Sequence, residues 1–259
     1  MLALSVYLGL IQLGLVRSPL APSTGGDIAL ARSERAGLRV LFVGNSLTST
    51  NSMPALVHEL AAADPGSPSI FAVQYTAPGW KLKSASQDDD LGDLLEDVRW
   101  NVVVLQEQSL IPSLSPGERD LEMLPFARDL VGKIRASVAR PMLFMTWGYE
   151  NGDQENVPED TFTAMQARLE EGYSHLGAEL SAPVAPVGVA WSEALRRDPE
   201  LELWGSDGKH PSRLGSYLTA CVFYAVLSGR DPTESGFVAG LDEAEARLLQ
   251  RVASAVVHG

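Results

Sequence analysis

The 259-residue chain carries 33 Asp and Glu against 20 Lys and Arg, for a formal net charge of −13, with 4 His and 1 Cys. The negative excess argues against phosphate-rich partners, so neither a nucleic acid nor an anionic membrane surface is an expected partner. One cysteine permits no intramolecular disulfide and no CxxC metal site, and a hydrophobic share of 45% is that of a globular protein.

Leu2–Val16 is apolar apart from Ser5 and Gln12. It is shorter than the ~20 residues a membrane span needs, so no stable span is expected in the mature protein. Its size, and the small residues Ser18, Ala21 and Ser23 after it, fit the h-region of an export signal. The lack of Lys or Arg before it fits a mis-assigned start codon or a core helix instead. The first reading predicts a periplasmic or extracellular protein, the second a cytoplasmic one. Arg17–Gly37 mixes Pro, Gly, Ser and charge without a period and reads as a linker, leaving residues 38–259 as one domain.

Leu38–Val43 is a β-rich run followed by Gly44-Asn45-Ser46. Ser52 offers an N-cap and Pro54 a helix start, with Leu56, Val57 and Leu60 on one face of a helix reaching about Ala63. Ser69–Tyr75 is a second strand, ending at Ala77-Pro78-Gly79. Asp88–Asp97 reads as a solvated acidic loop and helix start. Asn101–Leu105 is a fully buried strand, because nearly every position is apolar. Glu118–Ala136 is helical, with a kink expected at Pro125. Pro141–Thr146 is another buried strand and Glu159–Leu180 a long amphipathic helix. Val184–Val187 is a short strand, followed by helices over Val189–Arg197, Arg213–Ser228 and Asp242–Val257, the last capped by Asp242. This alternation predicts right-handed βαβ crossovers and a parallel sheet with helices on both faces. Ligands then bind at the carboxyl ends of the strands.

Ser46 falls at such an end, where a hydroxyl is presented beside a helix N-terminus that favours developing negative charge. The turn is not the GxSxG elbow of α/β-hydrolases. A serine nucleophile needs a base. His58 and His175 lie within helices and His258 in the tail, so His210 is the well-placed candidate, with Asp207 three residues ahead to orient it. Cys221, in an apolar helix, reads as a buried small hydrophobe.

Together these residues resemble the SGNH (GDSL-type) hydrolases. Gly44-Asn45-Ser46-Leu47-Thr48 is similar to the family's first block, Pro78-Gly79-Trp80 to its second, and Asp207 with His210 to its last. The resemblance spans Leu38–Gly229. It is strongest to a bacterial branch with LQEQS, APVGxAW and DGxHPSxxGSYLxAC, here Leu105–Ser109, Ala185–Trp191 and Asp207–Cys221. It implies a three-layer αβα sandwich around a mostly parallel five-stranded sheet of flavodoxin-like kind. It also implies a Ser46–His210–Asp207 triad and an oxyanion hole using the N–H groups of Ser46 and Gly79. In place of the family's Gly-x-Asn-Asp element stands Gln106-Glu107-Gln108-Ser109. Register puts Gln108 where the asparagine donor would be, and Gln106 is its rival. Losing one oxyanion donor costs on the order of 10²–10³ in rate, so the assignment matters. The usual first-block aspartate is Asn45, a position with little expected weight because it is not the nucleophile.

The implied chemistry is acyl transfer from an ester to water, with no metal or organic cofactor. The substrate class is a carbohydrate ester or a small-molecule ester. Trp80, Trp147 and Tyr149 are candidates to wall the pocket or stack on a sugar, against the alternative that they pack the core. An acyltransferase acting on glycans, and a weak glycan-binding protein that kept the fold, are the competing readings.

Overall fold

The computed structural model describes residues 23–25 and 37–259, so the apolar run at residues 2–16 and most of the expected linker lie outside the described residues. Within the linker segment, Ser23–Gly25 (β1) pairs antiparallel with the sheet edge. The chain then runs β2 (Leu38–Gly44), α1 (Ser46–Ser49), α2 (Met53–Ala62), β3 (Ile70–Thr76), α3 (Leu82–Ser86) and α4 (Asp89–Asp97). It continues through β4 (Val102–Leu105), α5 (Pro116–Glu122), α6 (Leu124–Ala136), β5 (Arg140–Phe144) and α7 (Phe162–Leu180). It closes with β6 (Val184–Ala185), α8 (Val187–Arg197), α9 (Arg213–Ser228) and α10 (Glu243–His258).

The sheet order is β1-β3-β2-β4-β5-β6, and β2 to β6 are parallel. The expected αβα sandwich is therefore present, with a short antiparallel strand added at one edge. Strand alternation sorts the two layers. Val40, Phe42, Val102, Val104 and Phe144 face a core shared with α2, α8, α9 and α10, whereas Leu41, Val43, Val103, Leu105 and Leu143 face α3, α4, α6 and α7. In the first core Phe223 of α9 meets Phe42 and Phe144 edge-on, at 5.0 and 4.8 Å between ring centres. α9 is buried from Gly215 to Ala225, which explains its all-round apolar sequence. Cys221 is enclosed there, and burial pushes its thiol pKa up. Gly215 has a contact reason to be glycine. A Cβ would fall 2.3 Å from the Leu203 carbonyl oxygen and 2.7 Å from the Trp191 ring.

Three local expectations are corrected. Ser52 stands at the N-cap of α2 in left-handed backbone (φ 53°), and its hydroxyl caps nothing. The Glu118–Ala136 pattern is two helices broken at Met123, and Pro125 sits in the first turn of α6, where its missing N–H costs no intrahelical bond. Asp88 caps α4 by accepting from Leu91 N at 2.8 Å, so Asp88–Asp97 is mostly helix rather than loop.

The chain moves outward from β2 to β3 on one side and then to β4 on the other. The gap between the ends of β2 and β4 is thus the switch point, where open α/β sheets bind ligands.

Candidate active site

Four strand ends and one loop build the site. β2 ends at Gly44, and Asn45 caps α1 by accepting from Leu47 N at 3.0 Å through its side-chain oxygen. Ser46 is then the first residue of a helix, where an N–H has no intrahelical acceptor. Gly44 is held to glycine by room: a Cβ would lie 2.4 Å from Gln106 Oε1 and 2.7 Å from Thr48 Oγ1.

Asp207 and His210 come from the turn between α8 and α9. An antiparallel bridge joins Trp204 to Pro211 across its base. Gly205 N donates to His210 O at 2.8 Å, and Gly208 takes φ 65° at the tip. His210 Nε2 lies 2.8 Å from Ser46 Oγ. On the other side of the ring, Nδ1 lies 2.5 Å from Asp207 Oδ2. Asp207 Oδ1 accepts from the N–H groups of Lys209 and His210, at 3.0 and 2.9 Å. Partial burial works against charge on Asp207. The bonds from the His210 ring and the two N–H groups outweigh it and hold the carboxyl down at about 2. The ionised Asp207 can only accept, so the tautomer of a neutral imidazole that suits it carries the proton on Nδ1 and presents Nε2 as an acceptor to the serine hydroxyl. A hydroxyl, imidazole and carboxylate in this line can pass a proton from oxygen to nitrogen while the new positive charge is balanced.

The sequence did not mark Asn51. It takes left-handed backbone (φ 55°), which Asn tolerates. Its side-chain nitrogen donates to Pro211 O, Ser212 O and Ser216 Oγ at 2.9–3.1 Å. It thereby ties the segment after Ser46 to the histidine turn. The only sequence signal was an Asn within a Ser/Thr-rich stretch.

Gly79 is exposed with φ 66°, and a Cβ there would meet none of the described residues within 4 Å, so backbone conformation rather than space requires glycine. Trp80 is half-buried and tilted against Tyr75 at 5.7 Å. The Trp80 carbonyl accepts from Asn45 Nδ2 at 2.9 Å. Asn45 is thus more than a neutral departure from the family pattern, since an aspartate could not make this donation. Asn45→Asp is expected to cost about 1–3 kcal/mol, read as a lower urea midpoint. A variant as stable as wild type would show that the tie contributes nothing.

The two glutamines separate clearly. Gln106 is buried, and its Oε1 accepts from Asn45 N at 2.8 Å and Thr48 Oγ1 at 2.9 Å. Its Nε2 donates to Glu107 O. Its oxygen is thus committed to the serine turn and one of its two N–H donors to Glu107 O, which favours Gln108 over Gln106 as the candidate oxyanion donor. Gln108 is half-buried, and its Oε1 accepts from Leu110 N at 3.0 Å. Its NH₂ group makes no hydrogen bond among the described residues.

The aromatic candidates after β5 are also corrected. Trp147 is 1% exposed and lies face to face with Trp191 at 4.2 Å. Its Nε1 donates to Lys209 O at 3.0 Å, so it braces the histidine turn from behind. Trp204 does likewise, donating to Gly148 O at 3.0 Å. Tyr149 is buried, with its hydroxyl 2.7 Å from Ser109 Oγ and Lys209 Nζ 4.9 Å above its ring. Neither Trp147 nor Tyr149 offers an open stacking face.

No family model and no curated relative matches the sequence. Solved structures do. A DUF4886 family protein from Bacteroides uniformis superposes with a TM-score of 0.72 at 20% identity, over 85% of this chain and 94% of its own. A protein from Slackia heliotrinireducens described as an SGNH hydrolase gives 0.60 at 27% identity, over 74% and 99%. Axe2, an acetylxylan esterase from Geobacillus stearothermophilus, gives 0.55 at 18%, over 78% and 95%.

Proposed function

We propose that this chain, whose fold is that of the SGNH hydrolases, is a serine ester hydrolase acting on short acyl groups carried by carbohydrates or other small alcohols. The observation that carries the reading is the Ser46–His210–Asp207 relay at the sheet's switch point. In this mechanism His210 takes the proton from Ser46 as the oxygen attacks the ester carbonyl, and Asp207 balances the imidazolium. The N–H groups of Ser46 and Gly79 and the free amide of Gln108 receive the oxyanion. His210 then protonates the leaving alcohol, and water repeats the sequence to release the acid.

The exposure of the relay supports a bulky alcohol with a short acyl group. The side chains of His210 and Asp207 are 42% and 47% exposed, so an ester can be presented from outside without threading. Trp80, beside Gly79, offers the acyl group an apolar edge. The acetylxylan esterase among the structural neighbours fits the same class.

The test is covalent. A fluorophosphonate should label the wild type once, on the peptide containing Ser46, and Ser46→Ala should lose both the label and the hydrolysis of p-nitrophenyl acetate. Turnover that survives in Ser46→Ala would sink the assignment.

A further inference from the structure

Glu107 takes no part in the proton relay, yet it stands at the centre of the strand-end turns. It is 0% exposed. Oε1 accepts two backbone bonds, from Leu82 N at 3.1 Å and from Gln108 N at 2.6 Å. Among the described residues, the buried Oε2 has no hydrogen-bond partner. An enclosed carboxyl is an expensive way to satisfy two N–H groups, so what those groups belong to matters. Leu82 opens α3, the helix that follows the Pro78-Gly79-Trp80 turn. Gln108 carries the free amide of the third strand-end turn. One oxygen therefore joins the segment bearing one oxyanion donor to the segment bearing another.

Two other side chains complete the arrangement. Gln106 fastens the serine turn to the end of β4 through Asn45 N, and Asn45 fastens the serine turn to Trp80. Glu107 closes the third side, between the Gly79 turn and the Gln108 turn.

We propose that Glu107 is a positioning residue which fixes Gly79 and Gln108 relative to each other, so that both point at the same developing oxyanion. This rests on the esterase reading above. Substrate does not touch Glu107, so its removal should act on the transition state more than on binding. A glutamine, whose carbonyl oxygen can accept the same two bonds, should largely replace it.

The experiment compares wild type, Glu107→Ala, Glu107→Gln and Ser46→Ala on p-nitrophenyl acetate, well below each variant's melting temperature. Glu107→Ala should lose about 10–100-fold in kcat with KM within about threefold, less than outright removal of a donor. Glu107→Gln should recover to within about fivefold of wild type, and the kcat loss of a fully folded alanine variant at unchanged KM is the readout that simple loss of fold stability would not produce. If the alanine variant does not fold, Glu107→Asp takes its place, since it draws the oxygen back by one methylene and should also lose kcat selectively. A folded Ala or Asp variant with wild-type kcat overturns the proposal, as does a change confined to KM, or a glutamine variant as impaired as alanine. If wild type and Ser46→Ala are equally inactive, the esterase reading itself has failed and the positioning role falls with it.

Discussion

Asp207→Asn should lower kcat on p-nitrophenyl acetate on the order of 10⁴-fold, with KM changed by less than about threefold. The substitution is nearly isosteric. An asparagine carbonyl can still accept from the N–H groups of Lys209 and His210, so the turn keeps its shape. Its NH₂ group, however, would donate to His210 Nδ1. That reverses the tautomer and aims an N–H at Ser46 Oγ, which then has nowhere to send its proton. Binding relies on surfaces that do not change, so the loss belongs to the chemical step. A variant within tenfold of wild type would mean that Asp207 does not set the tautomer.

Glu107→Gln should stabilise the protein at alkaline pH and leave it unchanged in acid. Desolvation is the dominant influence on this carboxyl and raises its pKa from 4.5 to about 7. The bonds from Gln108 and Leu82 and the charge of Lys81 pull the other way, while Glu122 adds to the rise. The buried Tyr173 hydroxyl, itself pushed up by burial, also feels Glu107. Because the folded value lies above the unfolded one, the native state binds the extra proton. The protonated form's advantage is complete below pH 4.5. It falls as pH rises toward 7 and is gone above it. The wild type therefore loses about 3 kcal/mol across that window relative to the glutamine variant. Melting temperatures should coincide near pH 4.5 and separate by about 6–12 °C at pH 8. Parallel curves would show that Glu107 does not titrate there.

The strands and the juxtaposition of Ser46, His210 and Asp207 were legible because their signals are local. Apolar runs of strand length ending in Gly44-Asn45-Ser46 and Ala77-Pro78-Gly79 announce themselves, and one histidine stood in a turn with a carboxylate three residues away. What stayed hidden depends on register. Pairing of Val43 with Leu105 brings Gln106 under the serine turn, where its oxygen takes two bonds; the register of the third block favoured Gln108 but did not reveal what holds Gln106. Tryptophan was ambiguous for a related reason: an indole serves a core or a pocket equally well, and only the stack on Trp191 and the bond to Lys209 decide for Trp147. Asn51 and Glu107 were missed because their partners lie far along the chain or on a neighbouring turn. Ser23–Gly25 lacks the apolar content of a strand and is held by pairing with Gln74, Tyr75 and Thr76.

Ser46 Oγ and the His210 ring nitrogen that faces it at 2.8 Å are separated by 164 positions. During synthesis the serine emerges long before its base, and a growing chain that has made the first three parallel strands still holds an inert alcohol. The pair is brought together by the turn before α9, which Asn51 holds through Pro211 O and Ser216 Oγ. On the esterase reading proposed above, a partly folded intermediate without the α8–α9 turn holds a serine that has no base, so reactivity toward esters would wait on the C-terminal half of the fold.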